Sequence, residues 1–298
     1  MVDTELDTSL DGVVVKVASS GICGSDLHLL AWNLPVVLGH EFAGFLSDGT
    51  PVAVEPLATC GTCEACRAGA YNLCVDVMGS LLGTSRNGGM AESCMVPASA
   101  LTRLPAGLAP SDACLVEPLA VAVHGVRRGR ITAGDRVAVV GAGSVGQMAL
   151  VAAQAVGATV AVEGRHDHQR QVAERLGAAP VEGTYDVVLE AAGTSSALAR
   201  AAELCRPGGR IVLLGTYWDE VAFPAMALCM NEIELIPSSM YGRSGPSRDV
   251  DVAATILAAR PEVATQVITH RFPLDAAAEA FATAADRSSG AIKVVLEP

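Results

Sequence analysis

A strand, a glycine-rich turn and a helix can be read in succession from residues 136–150, "RVAVVGAGSVGQMAL". The turn carries G-x-G-x-x-G at Gly141, Gly143 and Gly146, and the flanking strand and helix turn a weak motif into a dinucleotide-binding signature. Gly141 permits the tight turn, Gly143 lets a pyrophosphate approach the backbone, and Gly146 lets helix pack on strand. The helix opens at Ser144 and Val145, so its positive end faces phosphate. Further apolar runs follow, "TVAVE", "DVVLEA", "RIVLLG" and "IELIPS", with Ala- and Leu-rich stretches of helical length at 145–156, 167–177 and 196–204. Strand alternating with helix predicts an α/β unit built on a parallel, doubly wound sheet.

Residues 13–118 have another texture. Short β-rich pieces, "VVVKVA", "PVAVEP" and "ESCMVP", are separated by Gly-, Pro- and Cys-rich turns. The end of the chain returns to mixed texture, with one helix after Pro273 and a last strand at 292–296 that closes the first unit. A chain of 298 residues, 51% of them apolar, reaches the size of roughly 250–300 residues at which single cores stop growing, so two units are expected. A formal net charge of −12 argues against a nucleic-acid partner, which would require clustered Lys and Arg, and favours a small molecule. The opening "MVDTELDTSL" lacks the basic-then-apolar build of a signal peptide, so a cytoplasmic, reducing location without disulfides is expected. The uncharged run Val137–Val162 is long enough to span a membrane but splits into strand, turn and helix, so no membrane partner is expected.

"CGTCEACRAGAYNLC", residues 60–74, spaces Cys60, Cys63, Cys66 and Cys74 as C-x-x-C-x-x-C-x7-C. Soft thiolates this close suit a tetrahedral structural zinc site. Fe–S ligation competes, although the last spacing fits it poorly. Four thiolates leave no open position, so any catalyst lies elsewhere. Upstream, "GICGSDLH" (21–28) and "VLGHEFAG" (37–44) supply Cys23, His40 and Glu41, the mixed donor set of zinc sites that keep a position open. "VEPLAVAVH" (116–124) adds a second carboxylate, Glu117.

With "GICGSDLH", "GHEFAG", "CGTCEACRAGAYNLC", "GGMAE", "EPLAVAVH" and the dinucleotide fingerprint in this order, almost the whole chain resembles the zinc-containing medium-chain dehydrogenases, nearest the sorbitol, threonine and butanediol dehydrogenase branch. The resemblance implies a GroES-like β-rich catalytic domain at 1–118 and 262–298 and a Rossmann domain at 119–261. It implies that Cys23 and His40 hold a catalytic zinc, with Glu41 or Glu117 completing it. Ser25 falls where the family keeps a hydroxyl that hands the alcohol proton away, His28 where some members pass it to solvent, and Asp26 where an acid orients the zinc-bound histidine. The implied reaction moves a hydride between a polyol, sugar-like or secondary alcohol and a nicotinamide cofactor. An NADPH-dependent zinc carbonyl reductase and a catalytically silent relative are the alternatives. Homodimers or homotetramers would form through "NEIELIPS", to which Pro237 is an objection because it lacks a ladder donor.

Cofactor choice is read from "TVAVEGRHDHQR". NAD enzymes place an acid about 20 residues after the first glycine to hold the ribose 2′-hydroxyl, whereas a 2′-phosphate needs that charge gone and an Arg nearby. Counting as in the family lands on Gly164, followed by Arg165, with Glu163 one residue early. The pair resembles NADP-using members and favours NADP over NAD, with Arg170, His166 and His168 as further phosphate partners. The alternative is that Glu163 holds the ribose and Arg165 is a solvated surface charge. The loops after His28 and between Gly44 and Val52 are shorter than the family's, so the substrate pocket cannot be copied from relatives, and Trp32 is open to a pocket, core or interface role. Cys94, Cys114, Cys205 and Cys229 are predicted to be buried small hydrophobes.

Overall fold

The computed structural model describes residues 6, 11–286 and 288–298. They fall into two compact units, Met1–Glu117 with Tyr241–Pro298, and Pro118–Met240.

The first unit opens with β1 (Val13–Ile22), in which Val15 and Val17 are buried while Val14 and Lys16 face out, the period of two expected of a half-buried strand. There follow α1 (Gly24–Leu29), β2 (Glu41–Phe45), β3 (Pro51–Val54), α2 (Glu64–Arg67), β4 (Ser93–Val96) and β5 (Leu101–Arg103). After α3 (Val116–Arg128), whose first turn holds the boundary at Glu117, the second unit runs through β6 (Arg136–Val140), α4 (Ser144–Ala155), β7 (Thr159–Glu163), α5 (Asp167–Arg175), β8 (Tyr185–Glu190), α6 (Ser195–Leu204), β9 (Cys205–Leu213), α7 (Ala225–Met230) and β10 (Glu234–Pro237). The chain then returns to the first unit with β11 (Arg243–Ser244), β12 (Ser247–Arg248), α8 (Asp249–Ala259), α9 (Glu262–Val267), β13 (Ile268–Pro273), α10 (Ala277–Ala285) and β14 (Lys293–Glu297).

The large sheet of the first unit has the order β13-β14-β1-β2-β3-β5, with β4 also pairing β1. Its core joins Val15, Val17, Phe42, Val52, Val54, Leu82, Cys94 and Val96. Register places the site. Gly21 pairs Glu41 across β1 and β2, and Ile22 pairs Val294 across β1 and β14. The start of α1, the start of β2 and the start of β14 therefore meet at one end of the sheet.

The sheet of the second unit is parallel throughout, in the order β10-β9-β8-β6-β7. Chain order departs in both directions from β6, so the ends of β6 and β8 form the topological switch point at which such sheets bind ligands. One face is covered by α6, whose Ala197, Leu198, Ala201 and Ala202 pack on Ala138, Val140, Ala161 and Val188. Among the described residues no helix is long and apolar enough to cross a membrane.

The sequence reading departs from the structure at the second boundary and at six helices. Residues 241–261, read as part of the dinucleotide unit, cluster with the first. Arg248 explains why: it donates to the carbonyls of Ser99 (3.0 Å) and Leu101 (2.8 Å) and to Thr102 Oγ1 (2.9 Å), and pairs with Glu55 at 3.2 Å. The sequence of α8, "DVDVAATILAA", has the same Ala-rich texture as the helices of the other unit, so composition could not separate them. Besides α8 and the long α3, the short helices α1, α2, α7 and α9 have no counterpart in the sequence reading.

Candidate metal centres and dinucleotide site

Cys23, at the turn into α1, and His40 and Glu41, at the entry to β2, bring a sulfur, a ring nitrogen and a carboxylate oxygen within 4.8 Å of one another. Asp26 ties the two segments together. Fully buried, it accepts the Cys23 N–H on Oδ2 at 2.9 Å and sets Oδ1 3.3 Å from His40 Nδ1. That leaves His40 Nε2 for a metal, and the Ser25 hydroxyl lies 3.5 Å from that atom. A thiolate, an imidazole and a carboxylate at this spacing fit one zinc ion with a position open. His28 is exposed in the last turn of α1.

Glu41 has a second partner that the sequence reading missed. Lys293, only 1% exposed, gives its ammonium to Glu41 Oε2 and to the Ile22 carbonyl at 3.2 Å. The signal was a lone lysine inside the apolar strand "IKVVL", a place lysine occupies only when paired. Glu117 stands outside the mutually close donor set. Burial pushes its carboxyl up to about 7, against the lowering influence of His40.

Cys60, Cys63, Cys66 and Cys74 also lie within 4.8 Å of one another. Cys60 Sγ is 3.5 Å from Cys74 Sγ and 3.9 Å from Cys66 Sγ. Backbone N–H groups aim at the sulfurs, Cys63 at Cys60 Sγ and Cys60 at Cys74 Sγ, each at 3.4 Å. Donors of this kind, those of Thr62 and Cys63 foremost, hold the Cys60 thiol down at about 6. The set is closed, with four sulfurs for one tetrahedral ion, and fits a structural zinc. Of the other four cysteines, Cys94, Cys114 and Cys205 are buried as expected, but Cys229 is exposed. It lies on the six-residue helix α7, of which Leu228 is the buried residue.

At the dinucleotide turn, Gly141 adopts φ 106° and gives its N–H to the Glu163 carbonyl at 2.8 Å. A Cβ on Gly146 would sit 1.7 Å from the Gly141 carbonyl oxygen, so only glycine lets α4 start this close to β6. Gly143 has open space beside it, Ser144 and Val145 begin α4 half-buried, and the Ser144 hydroxyl is enclosed without a hydrogen-bond partner. A Cβ on Gly164 would lie 2.5 Å from the Ala142 side chain, so any side chain at this position requires Ala142 to give way. Arg170 donates to the Gly164 carbonyl at 2.7 Å and pairs with Asp167. Arg165 is exposed and makes no ion pair among the described residues, and the His166 and His168 rings stack with centroids 5.6 Å apart. Glu163 is bound by Arg200. The sequence reading also missed Glu190, which ends β8 fully buried, accepting from the Ala192 and Gly193 N–H groups at 2.8 and 2.9 Å and from the Tyr217 hydroxyl at 2.6 Å.

Residues 9–106 match the sequence profile of the alcohol dehydrogenase GroES-like domain, and residues 111–297 that of the glucose dehydrogenase C-terminus. The chain belongs to the zinc-containing medium-chain alcohol dehydrogenase family. This dehydrogenase is 32% identical to the L-galactonate-5-dehydrogenase of Escherichia coli K12, over 90% of this chain and 86% of that protein. A zinc-binding dehydrogenase of Sinorhizobium meliloti 1021, solved bound to NADP, superposes with a TM-score of 0.84 at 30% identity, covering 97% of this chain and 92% of its own. An alcohol dehydrogenase of Escherichia coli CFT073, solved with NADH, gives a TM-score of 0.87 at 27% identity, covering 100% and 95%. The fold is the expected α/β one, a Rossmann parallel sheet with a GroES-like β-rich unit, and the activity of this dehydrogenase is alcohol oxidoreduction with a nicotinamide cofactor.

Proposed function

We propose that this dehydrogenase acts on a secondary alcohol of a polyol or sugar acid, prefers NADP to NAD, and works at a zinc held by Cys23, His40 and one of Glu41 and Glu117. The observation that carries the reading is the donor set of Cys23, His40 and Glu41 within 4.8 Å, with the Ser25 hydroxyl beside His40 Nε2 at 3.5 Å. When bound, zinc supplies a Lewis acid for the substrate oxygen and the nicotinamide takes or gives the hydride. Asp26 orients the imidazole through Nδ1, the role of the acid behind a metal-bound histidine. Ser25 accepts the proton of the substrate hydroxyl, which has to leave before hydride does, and His28 on the same helix passes it to solvent. Lys293 balances the charge of Glu41 at Oε2, and Glu41 is the carboxylate that stands with Cys23 and His40, which favours it over Glu117 to complete the set. The four sulfurs of Cys60, Cys63, Cys66 and Cys74 hold a second, structural zinc.

The sugar-acid class is carried from the galactonate relative, and NADP from Gly164 and Arg165, with Arg170 beside them. Self-association through β10 completes the reading, since this strand ends the sheet with one side unpaired among the described residues. Elemental analysis is expected to find two zinc ions per chain, and Cys23→Ala to retain one, remain folded and lose turnover. A folded wild-type protein with a single zinc overturns the two-site reading. In a panel of polyols, sugar acids and simple primary alcohols, turnover confined to the last overturns the substrate class.

A further inference from the structure

We propose that Arg200 is a cofactor-selectivity residue: by clamping Glu163 it withdraws the carboxylate at the end of β7 from the adenosine ribose and leaves Arg165 to meet a 2′-phosphate without a competing acid. The inference rests on the NADP reading above. Glu163 is the last residue of β7, and its carbonyl receives the Gly141 N–H, so it borders the dinucleotide turn. Its side chain shares a sheet face with Ala161, two residues earlier, and that face is the one α6 covers. From α6, Arg200 Nε donates to Glu163 Oε1 at 2.9 Å and Oε2 at 3.1 Å, and Nη2 donates to Oε2 at 2.9 Å. Both carboxylate oxygens are engaged, and Nη1, held by Glu203 at 2.9 Å, fixes the guanidinium plane.

The remaining charges in the segment follow the same pattern. Asp167 is matched by Arg170, which also holds the Gly164 carbonyl. Arg165 alone has no carboxylate among the described residues. Both acids in residues 163–170 are thus paired with an arginine, and Arg165 is the cation of the segment left for a phosphate. A ribose diol asks instead for an acceptor, and the carboxylate that ends β7 is occupied. The clamp is partly exposed, at 39% for Arg200 and 35% for Glu163, so it contributes little to the fold and its removal is tolerable.

Dissociation constants for NADPH and NADH, read from nicotinamide fluorescence, test the clamp in wild type, Arg200→Met, Glu163→Gln and the double variant. Arg200→Met frees Glu163 to repel the phosphate and to accept from the ribose, so the ratio of the two constants is expected to move roughly tenfold toward NADH. The double variant lacks the freed carboxylate and is expected to return to the wild-type ratio, while Glu163→Gln alone leaves it within about twofold. Melting temperatures without cofactor check that each variant is folded. An unchanged ratio in Arg200→Met, a double variant that keeps the shifted ratio, or a loss of NADH affinity in Glu163→Gln alone each overturns the clamp. Wild type binding NADH more tightly overturns the NADP reading instead; the clamp is judged by the change between variants.

Discussion

Asp26 divides its two oxygens between the segment that carries Cys23 and the ring of His40, so the geometry of both donors depends on one buried side chain. Ser25, beside it, has the only hydroxyl in α1. Ser25→Ala is expected to cut kcat by about 10²-fold, the usual effect of losing a positioned proton-transfer group, while zinc content and cofactor affinity stay near wild type. Turnover at the wild-type rate across neutral and alkaline pH would assign the proton to another route, with Glu117 the next candidate. Lys293 makes a different kind of contribution. Removing it leaves Glu41 buried without its partner, a loss expected to cost about 3 kcal/mol or more in the metal-free protein. A bound cation would in part replace the ammonium, so Lys293→Met should be less destabilising with zinc than without it. Urea denaturation of both forms checks this, and equal losses would mean that Glu41 does not face the metal.

At the scale of elements, the segment from β12 into α8 is fixed by a polar cluster as well as by the buried Val250, Ala253, Ala254 and Leu257 of α8. Arg248 is shared among Asp251, the Ser99 and Leu101 carbonyls, Thr102 and Glu55. Burial outweighs that shared charge and pushes the Glu55 carboxyl up to about 7 from a usual 4.5. Between those values the native chain keeps a proton that the unfolded chain has released, so stability falls as pH rises through this window and levels off above it. The loss amounts to about 3 kcal/mol at most. Glu55→Gln cannot titrate and is expected to gain on wild type in melting temperature between pH 5 and pH 8; a pH-independent difference would remove the burial argument. The β7–α5 turn carries a steric constraint of similar weight. Because a Cβ on Gly164 meets Ala142 at 2.5 Å, Gly164→Ala is expected to lower the melting temperature and weaken NADH and NADPH alike. A switch of cofactor at this position would then require Ala142→Gly as well, which measured affinities of the double variant would reveal.

The whole molecule consists of two units with separate cores, one around Val15, Phe42 and Val52 and one around Ala138, Val188 and Ile211. The second unit ends in β10, where Arg130 pairs with Glu234 and Arg128 donates to the Pro237 carbonyl at 3.3 Å. Light scattering at micromolar concentration is expected to give the mass of a dimer or tetramer, and Ile236→Lys to lower it; a monomer would exclude β10 as an interface. What the sequence determined by itself is whatever repeats or clusters locally. The glycine turn follows its strand and precedes its helix, and the four cysteines sit within fifteen residues, so chain connectivity alone holds each group together. The β-rich texture of "VVVKVA" likewise marks β1 as a strand, although three successive valines leave its buried side to the fold. What tertiary structure decided is who faces whom. Lys293 reaches the Ile22 carbonyl across 271 positions of sequence, Arg200 reaches Glu163 across 37, and α8 joins the first unit although its composition matches the helices of the second. Periodicity specifies the face a side chain occupies, but its neighbour is set by strand register and helix packing, which no short window of sequence encodes.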